Sequence, residues 1–293
     1  FNHFDSVTSA KVLESLADEI IFTDHKADEQ NTLTAVDFAN EHHITFKYSA
    51  DLFDTISTNM AVSTIAGIPI IELRRTRLSG WGRISKRFID IIASLVLIVL
   101  FSPLLLLISL LILIGSGGPV IYKNERVGQF GKKFFTLKFR TMHKKYCTGP
   151  QFGQAGEEAL KTEAELIKTQ NSKTGPVYKI KDDPRITPIG RFLRKYSLDE
   201  MPQFWNVLKG EMSLVGPRPH QPREVAGYEK HHKIVFAIKP GVTGLAQISG
   251  RSNLSFEEEI KLDAFYIEKW SMLIDFIILL KTPFVVFRKK GAW

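Results

Sequence analysis
The sequence predicts an α/β chain, mostly helical in its larger part, that carries a helical hairpin dipping into a membrane. Three observations predict this. Segments of helical and strand spacing alternate through residues 1 to 72. Positions 91 to 114 hold no charge, and basic residues crowd both flanks of that run.

In order along the chain, "VTSAKVLESLA" has helical spacing and "EIIFT" strand character. "EQNTLTAVDFANEH" is helical again and "ITFKYS" is a second strand, so the four read as a βαβ-like unit. No G-x-G-x-x-G turn follows either strand, so a packing or regulatory module is expected there rather than a nucleotide site. The chain opens on Phe1 and its first element reads as the middle of a domain, which predicts an upstream part outside this sequence.

Residues 73 to 87, "LRRTRLSGWGRISKR", form a basic linker. The apolar run after it would reach ~36 Å as one helix, enough to cross a bilayer core. Ser102 and Pro103 sit at its centre. A proline inside a helix removes a hydrogen bond and clashes with the preceding turn. The helix is therefore expected to bend or break, with Ser102 helping to satisfy the backbone groups that Pro103 frees. Each half would be only ~17 Å long, about half the hydrocarbon thickness. Arg74, Arg75, Arg77, Arg83, Lys86 and Arg87 precede the run, while Lys123, Arg126, Lys132, Lys133, Lys138 and Arg140 follow it. Positive charge marks the cytoplasmic side. A hairpin that enters and leaves by one face satisfies both observations, and a kinked but complete span is the alternative.

From 122 to 270 the chain is soluble in character. "ERVGQFGKKFFTLKFRTM" reads as a loop and strand, "EEALKTEAELIKTQ" as an exposed helix, and "SKTGPVYKIKDDPRITPIG" as turn-rich. "RFLRKY" is followed by a helix that Ser197 opens and Gly210 stops. The closing "WSMLIDFIILLKTPFVVFRKKGAW" is too broken by charge to span, and suits either an element in the headgroup layer or a buried core helix.

The net charge of +8, from 39 basic and 31 acidic residues, calls for an anionic partner. The apolar run and the interspersed acids speak against nucleic acid. Cys147 is the one cysteine, so no intrachain disulfide forms and a reducing compartment fits. The adjacent pairs His42 with His43 and His231 with His232 read as solvated surface, because neighbouring side chains diverge and no companion ligands stand at useful spacing.

Chemistry concentrates around "YSLDEMPQFW". Ser197 and Glu200 have the S-x-x-E spacing of a capping box, which alone would explain the acidic pair. The competing reading is catalytic. Asp199 can attack phosphorus to give an acyl phosphate, and Glu200 can hold a divalent metal. Helical geometry turns adjacent side chains about 100° apart, towards a substrate and a metal in one pocket. Lys138 and Arg140 in "KFRTM", Arg194, Arg218 between two prolines in "GPRP", and Arg251 in "ISGR" are cations beside turns, as a polyphosphate site needs.

Four segments, in this order, resemble a known family: "SKRFIDIIASLVLIVLFSPLLLL", "VGQFGKKFFTLKFRTM", "DDPRITPIGRFLRKYSLDEMPQFWNVLKGEMSLVGPRP" and "KPGVTGLAQISGR". They resemble the bacterial sugar transferases, the monotopic polyprenyl-phosphate phosphoglycosyl transferases, over about residues 81 to 290. The resemblance implies a re-entrant helix-break-helix anchor with its break at Ser102 and Pro103. It implies Asp199 as nucleophile and Glu200 in a magnesium site, with Asp275 a further acidic position assigned to the metal. Lys138, Arg194 and Arg218 match positions associated with phosphate and nucleotide, and Arg140 and Arg251 join that set. The implied reaction moves hexose-1-phosphate, glucose or galactose, from a UDP-sugar to undecaprenyl phosphate. It passes through a phosphosugar on the aspartate and releases UMP. The implied setting is the bacterial inner membrane, with the catalytic domain facing the cytoplasm; the sequence leaves the oligomeric state open, a homodimer included. Residues 1 to 80 resemble the C-terminal half of the Rossmann-like, CoA-binding-type domain of the larger exopolysaccharide members. Residues 81 to 118 would be linker and hairpin, and 119 to 293 the catalytic domain. The alternative is a non-catalytic, membrane-attached binding or regulatory protein in which the acidic pair only caps a helix.

Overall fold
The computed structural model describes residues 19–22, 34, 38, 45–48, 60–65, 68–73, 76, 78, 80–170, 176, 177, 180, 183–250 and 254–287. The chain divides into two compact units, Phe1–Arg74 and Arg75–Trp293.

In the first unit β1 (Glu19–Phe22) and β2 (Thr45–Tyr48) pair in parallel, Glu19 opposite Thr45. Both expected strands are present and pair side by side. The helical segments expected around them lie outside the described residues, apart from Thr34 and Phe38, which are helical. β3 (Met60–Ile65) and β4 (Ile68–Leu73) form an antiparallel hairpin.

The second unit opens with α1 (Gly80–Ser116), which runs without interruption through Pro103. The expected break into two helices does not occur, and the reason is local. Pro103 cannot donate to the carbonyl of Val99 one turn back. The Ser102 hydroxyl donates there instead, at 2.8 Å, so the carbonyl that the proline frees is satisfied as expected. Lys86, Asp90 and Ser94 form one buried stripe at helical spacing, and Ile108 and Ile112 another. Ala93 and Leu97 pack against a core of Val207, Met212, Leu214, Tyr266, Ile267 and Ile278. Ile108 and Ile112 pack against Phe139 and Leu193. The remaining apolar surface is bare: Trp81, Phe88, Val99, Leu106 and Ile114 are all exposed. Among the described residues α1 is long and apolar enough, by length and composition, to cross a membrane.

The hairpin of β5 (Ile121–Val127) and β6 (Lys133–Phe139) follows, antiparallel with Tyr122 opposite Lys138. "ERV" is thus strand where a loop was expected. α2 (Gly153–Gln170) is the expected helix, but it is not wholly exposed, since Ala159 and Glu163 are buried. α3 (Pro188–Lys195) starts on Thr187, whose side chain accepts from Gly190 N–H. Gly190 is required there, because a Cβ would stand 2.0 Å from the carbonyl oxygen of Thr141. α4 (Gln203–Lys209) stops at Gly210, which takes the left-handed conformation at φ 86° as a C-terminal glycine does. The short parallel pair β7 (Ser213–Val215) and β8 (Gly241–Thr243) brings distant loops together. Around it lie α5 (Pro222–Val225), α6 (Leu245–Ser249) and α7 (Phe256–Lys269). α8 (Met272–Phe287) closes the described chain, buried only at Asp275 and Ile278. Leu273, Phe276, Leu280, Phe284 and Phe287 are exposed, so the core-helix alternative for this segment does not hold.

Candidate active site
The acidic pair sits on a single 3-10 turn, Leu198–Glu200, wedged between α3 and α4. The expected capping box is absent. Ser197 is in the left-handed region at φ 53°, its side chain makes no cap hydrogen bond, and α4 begins only at Gln203. Glu200 is instead drawn away by a cation: its Oε1 lies 2.6 Å from Lys138 Nζ. Lys138 comes from β6, and Asn206 of α4 locks that strand to the turn by accepting from Leu137 N–H and donating to Phe135 O.

Asp199 is 9% exposed. Burial raises its pKa above the ordinary carboxylate value, Glu200 adds to the rise, and Lys138 and Arg194 oppose it. A basic carboxylate held among cations is what a nucleophile towards phosphorus requires. Arg194, on α3, is positioned by a 2.9 Å hydrogen bond from Nε to Thr141 Oγ1, the same threonine whose backbone presses on Gly190. Arg218 is solvent-accessible in the cleft. The cleft walls strip part of its solvent and so lower its pKa, yet the carboxylates of Glu200, Glu259, Glu224 and Asp199 hold it above the ordinary value.

Lys138, Arg194, Asp199, Glu200 and Arg218 therefore share one cleft of about 1360 Å³. That exceeds the roughly 300–1,000 Å³ of a usual small-molecule pocket. Its far end is apolar, lined by Leu97, Phe101 and Leu104 of α1 and by Leu279, Pro283 and Phe287 of α8.

Two expected site residues serve elsewhere. Arg140 is 2% exposed and spends its guanidinium on the end of α1, donating to the carbonyls of Ser116, Gly117 and Gly118 at 2.6 to 2.9 Å. Those are carbonyls that a helix terminus leaves unpaired, so Arg140, which also lines the cleft, spends both terminal nitrogens on anchoring α1. Asp275 is not brought to Glu200. It accepts from Lys86 Nζ at 2.6 Å, Tyr266 Oη at 2.6 Å and Trp270 Nε1 at 3.2 Å, a buried knot joining α1, α7 and α8. Arg251 lies outside the described residues.

Sequence reasoning passed over several groups. Thr141, Glu163, His220 and Glu259 line the cleft, and nothing in their local sequence marks them. Cys147 also lines it, but is 2% exposed with burial pushing its thiol pKa up to about 11, so it is inert at neutral pH. His231 and His232 do converge, against expectation, meeting Glu257 with ligand atoms within 4.8 Å of one another. The hydrogen bonding does not suit a metal, however. His232 Nδ1 accepts from Glu229 N–H, so Nε2 holds the ring proton and donates to Glu257 at 2.8 Å. A metal-bound histidine coordinates through a ring nitrogen free of other partners, and both nitrogens of His232 are taken.

The family model described as bacterial sugar transferase matches residues 81–289. An undecaprenyl-phosphate galactose phosphotransferase of Salmonella typhimurium is 36% identical over 81% of this chain and 48% of its own length. A UDP-glucose:undecaprenyl-phosphate glucose-1-phosphate transferase of Klebsiella pneumoniae is 34% identical over 94% of this chain and 56% of its own. The exopolysaccharide production protein ExoY of Rhizobium meliloti is 38% identical over 72% of this chain and 89% of its own. The chain spans about half the length of the first two. With the match reaching from α1 through the acidic turn to α8, the chain belongs to the bacterial sugar transferase family.

Proposed function
We propose that this chain transfers glucose- or galactose-1-phosphate from a UDP-sugar to undecaprenyl phosphate, with Asp199 as a covalent way-station. One observation carries the reading: a buried, basic Asp199 stands in a cleft that is cationic around Lys138, Arg194 and Arg218 and apolar between α1 and α8. The cationic part suits a nucleoside diphosphate, and the apolar part a prenyl chain. Relatives named for glucose and for galactose lie at 34% and 36% identity, so both hexoses stay in the reading.

The chemistry balances in two steps. A carboxylate oxygen of Asp199 attacks the sugar-proximal phosphorus, and the bond to the UMP oxygen breaks with its electron pair. A phosphate oxygen of undecaprenyl phosphate then attacks the same phosphorus, and the acyl-phosphate bond breaks to return the carboxylate. Arg194 and Arg218 neutralise the anions that gather, and the rigid turn between α3 and α4 fixes the line of attack. The carboxylates of Asp199 and Glu200 are hard oxygen donors suited to magnesium, and Glu200, the more accessible with its side chain 27% exposed, would hold it. Magnesium, when bound, offsets charge on the transferring phosphoryl group.

Membrane attachment follows from α1. Arg87, near its start, donates to the carbonyls of Val207 and Leu208, and Arg140 holds its end. Both ends are tied to the same compact unit, which supports an anchor that enters and leaves by the cytoplasmic face through a bend at Ser102 and Pro103, with the helix itself unbroken. In a Cys147→Ser background, Ser85→Cys and Lys123→Cys should both escape a membrane-impermeant maleimide added to intact cells. Both should label in inverted vesicles, and opposite accessibility would establish a complete span.

The reaction is tested by UMP release from a panel of UDP-sugars, with magnesium, with and without undecaprenyl phosphate. Lipid-dependent turnover with one hexose is expected. No UMP from any donor by folded protein favours the non-catalytic alternative.

A further inference from the structure
One buried triad beside the acidic pair has no part in the chemistry above. His220 closes the "GPRPH" loop, two residues after Arg218, and is 3% exposed. The loop is pinned to β5 by the hydrogen bond from Val127 N–H to His220 O. On the ring itself, Nδ1 is hydrogen-bonded with the Tyr228 hydroxyl. Burial, then nearby acidic side chains, raise the Tyr228 pKa, so the phenol keeps its proton; with the Glu259 carboxylate facing Nε2, the ring proton belongs on Nε2 and the phenol donates to Nδ1. Nδ1 therefore accepts, and the proton of the neutral ring sits on Nε2.

That Nε2–H has no hydrogen-bond partner among the described residues. It faces Glu259 Oε1 at 3.7 Å, too far for a direct hydrogen bond. A buried donor left in this state is costly and calls for a partner. Both His220 and Glu259 line the cleft that holds Asp199.

The geometry selects a chemical class. A group placed across the gap must accept from Nε2–H and donate to a carboxylate, and a hydroxyl does both. A phosphodiester has no proton to donate there, and the carboxylates of Glu224 and Glu259 would repel it. The distance from the phosphate end is short, because two residues of extended chain cover at most ~7 Å. That is about the reach from an anomeric phosphate across a sugar ring.

We propose that His220 and Glu259 form a hydroxyl-recognising subsite for the sugar of the donor, Nε2–H donating to one ring hydroxyl and the Glu259 carboxylate accepting from it. The proposal rests on the transferase reading above. The hydroxyl comes from the hexose or from the ribose of the nucleotide, and the test separates these sources.

The detergent-solubilised full chain is assayed for UMP release with UDP-glucose and UDP-galactose, and for inhibition by UMP. His220→Asn keeps a group near Nδ1 but loses the Nε2 donor, whereas His220→Gln can place a donor where Nε2 stands. His220→Asn and Glu259→Gln are expected to lower kcat/KM for the preferred donor by about 10- to 100-fold. His220→Gln should recover most of that loss, which a purely structural role would not allow. Unchanged UMP inhibition assigns the hydroxyl to the hexose, and UMP inhibition weakened in parallel assigns it to the ribose. Donor kinetics within about twofold of wild type, or equal losses in the Asn and Gln variants with matching drops in Tm, would overturn the subsite. If wild type releases no UMP, the transferase reading fails instead. Saturation-transfer NMR with UDP-glucose and UDP-galactose then decides the subsite, which is overturned if sugar-proton signals are absent or alike in wild type and His220→Asn.

Discussion
Asp199→Asn is expected to abolish transfer while making the protein more stable. The first effect follows from chemistry, since an amide cannot form the acyl phosphate, and removal of a nucleophile costs at least about 10⁴-fold in turnover. The second follows from burial. The Asp199 pKa is raised in the folded state, chiefly by burial and then by Glu200. A folded pKa above the unfolded one means that the folded chain binds more protons, so stability falls as pH rises through that interval. Wherever Asp199 is ionised in the folded chain, the wild type carries a burial penalty that the neutral isostere lacks. The Asn variant should gain roughly 1 kcal/mol, a rise in Tm of about 2–4 °C for a unit of this size, measured with chelator present. The gain should shrink as pH is lowered into the carboxylate range. A variant that keeps activity would remove Asp199 from the nucleophile role.

Asp275→Ala is expected to be the most damaging single change to the fold. It strips the ion-pair partner from Lys86, whose side chain is 8% exposed, leaves the Trp270 donor without its acceptor, and leaves Tyr266 only its 3.2 Å bond to Val215 O. Removing one member of a buried pair costs about 3–5 kcal/mol, because an uncompensated charge stays behind. Thermal melting should show a fall in Tm of roughly 6–20 °C. The double variant Lys86→Met with Asp275→Leu should recover part of the loss, since the stranded ammonium is gone while buried Asp90 loses the Lys86 cation and keeps its bond from Leu214 N–H. Activity should fall with stability, because this knot joins α1 to α8, the helices that flank the apolar end of the cleft. Excess magnesium should rescue neither. Rescue by magnesium would return Asp275 to the metal site that sequence alone assigns to it.

The contrast between these carboxylates shows what the sequence could reveal. Ordered motifs placed Asp199, Glu200, Lys138, Arg194 and Arg218 together, and they share one cleft. The same motifs also carried Arg140 and Asp275, whose work is to hold α1 in place. Residue type and spacing do not tell a phosphate-binding arginine from one that pairs helix-end carbonyls, because both need the same donors. β6 ends at Phe139, so Arg140 leaves the strand's alternation and turns towards Ser116. The capping box failed for a related reason. Ser197 and Glu200 have the right spacing, but Lys138, far away in sequence, draws the glutamate off. Membrane character was legible in the uncharged run, whereas the continuity of α1 through Pro103 depended on one serine rotamer. His220 and Glu259 were invisible, since only packing brings two residues so distant in sequence to 3.7 Å.

The central claim, that Asp199 carries the phosphosugar between donor and lipid, is tested most directly by intact-protein mass spectrometry. The purified chain is incubated with its preferred UDP-sugar and magnesium in the absence of undecaprenyl phosphate. The account predicts a mass gain of one hexose phosphate, mapped by peptide analysis to Asp199, absent in Asp199→Asn and discharged when undecaprenyl phosphate is added. Steady lipid-dependent UMP release with no such adduct, or an adduct on another residue, would contradict it.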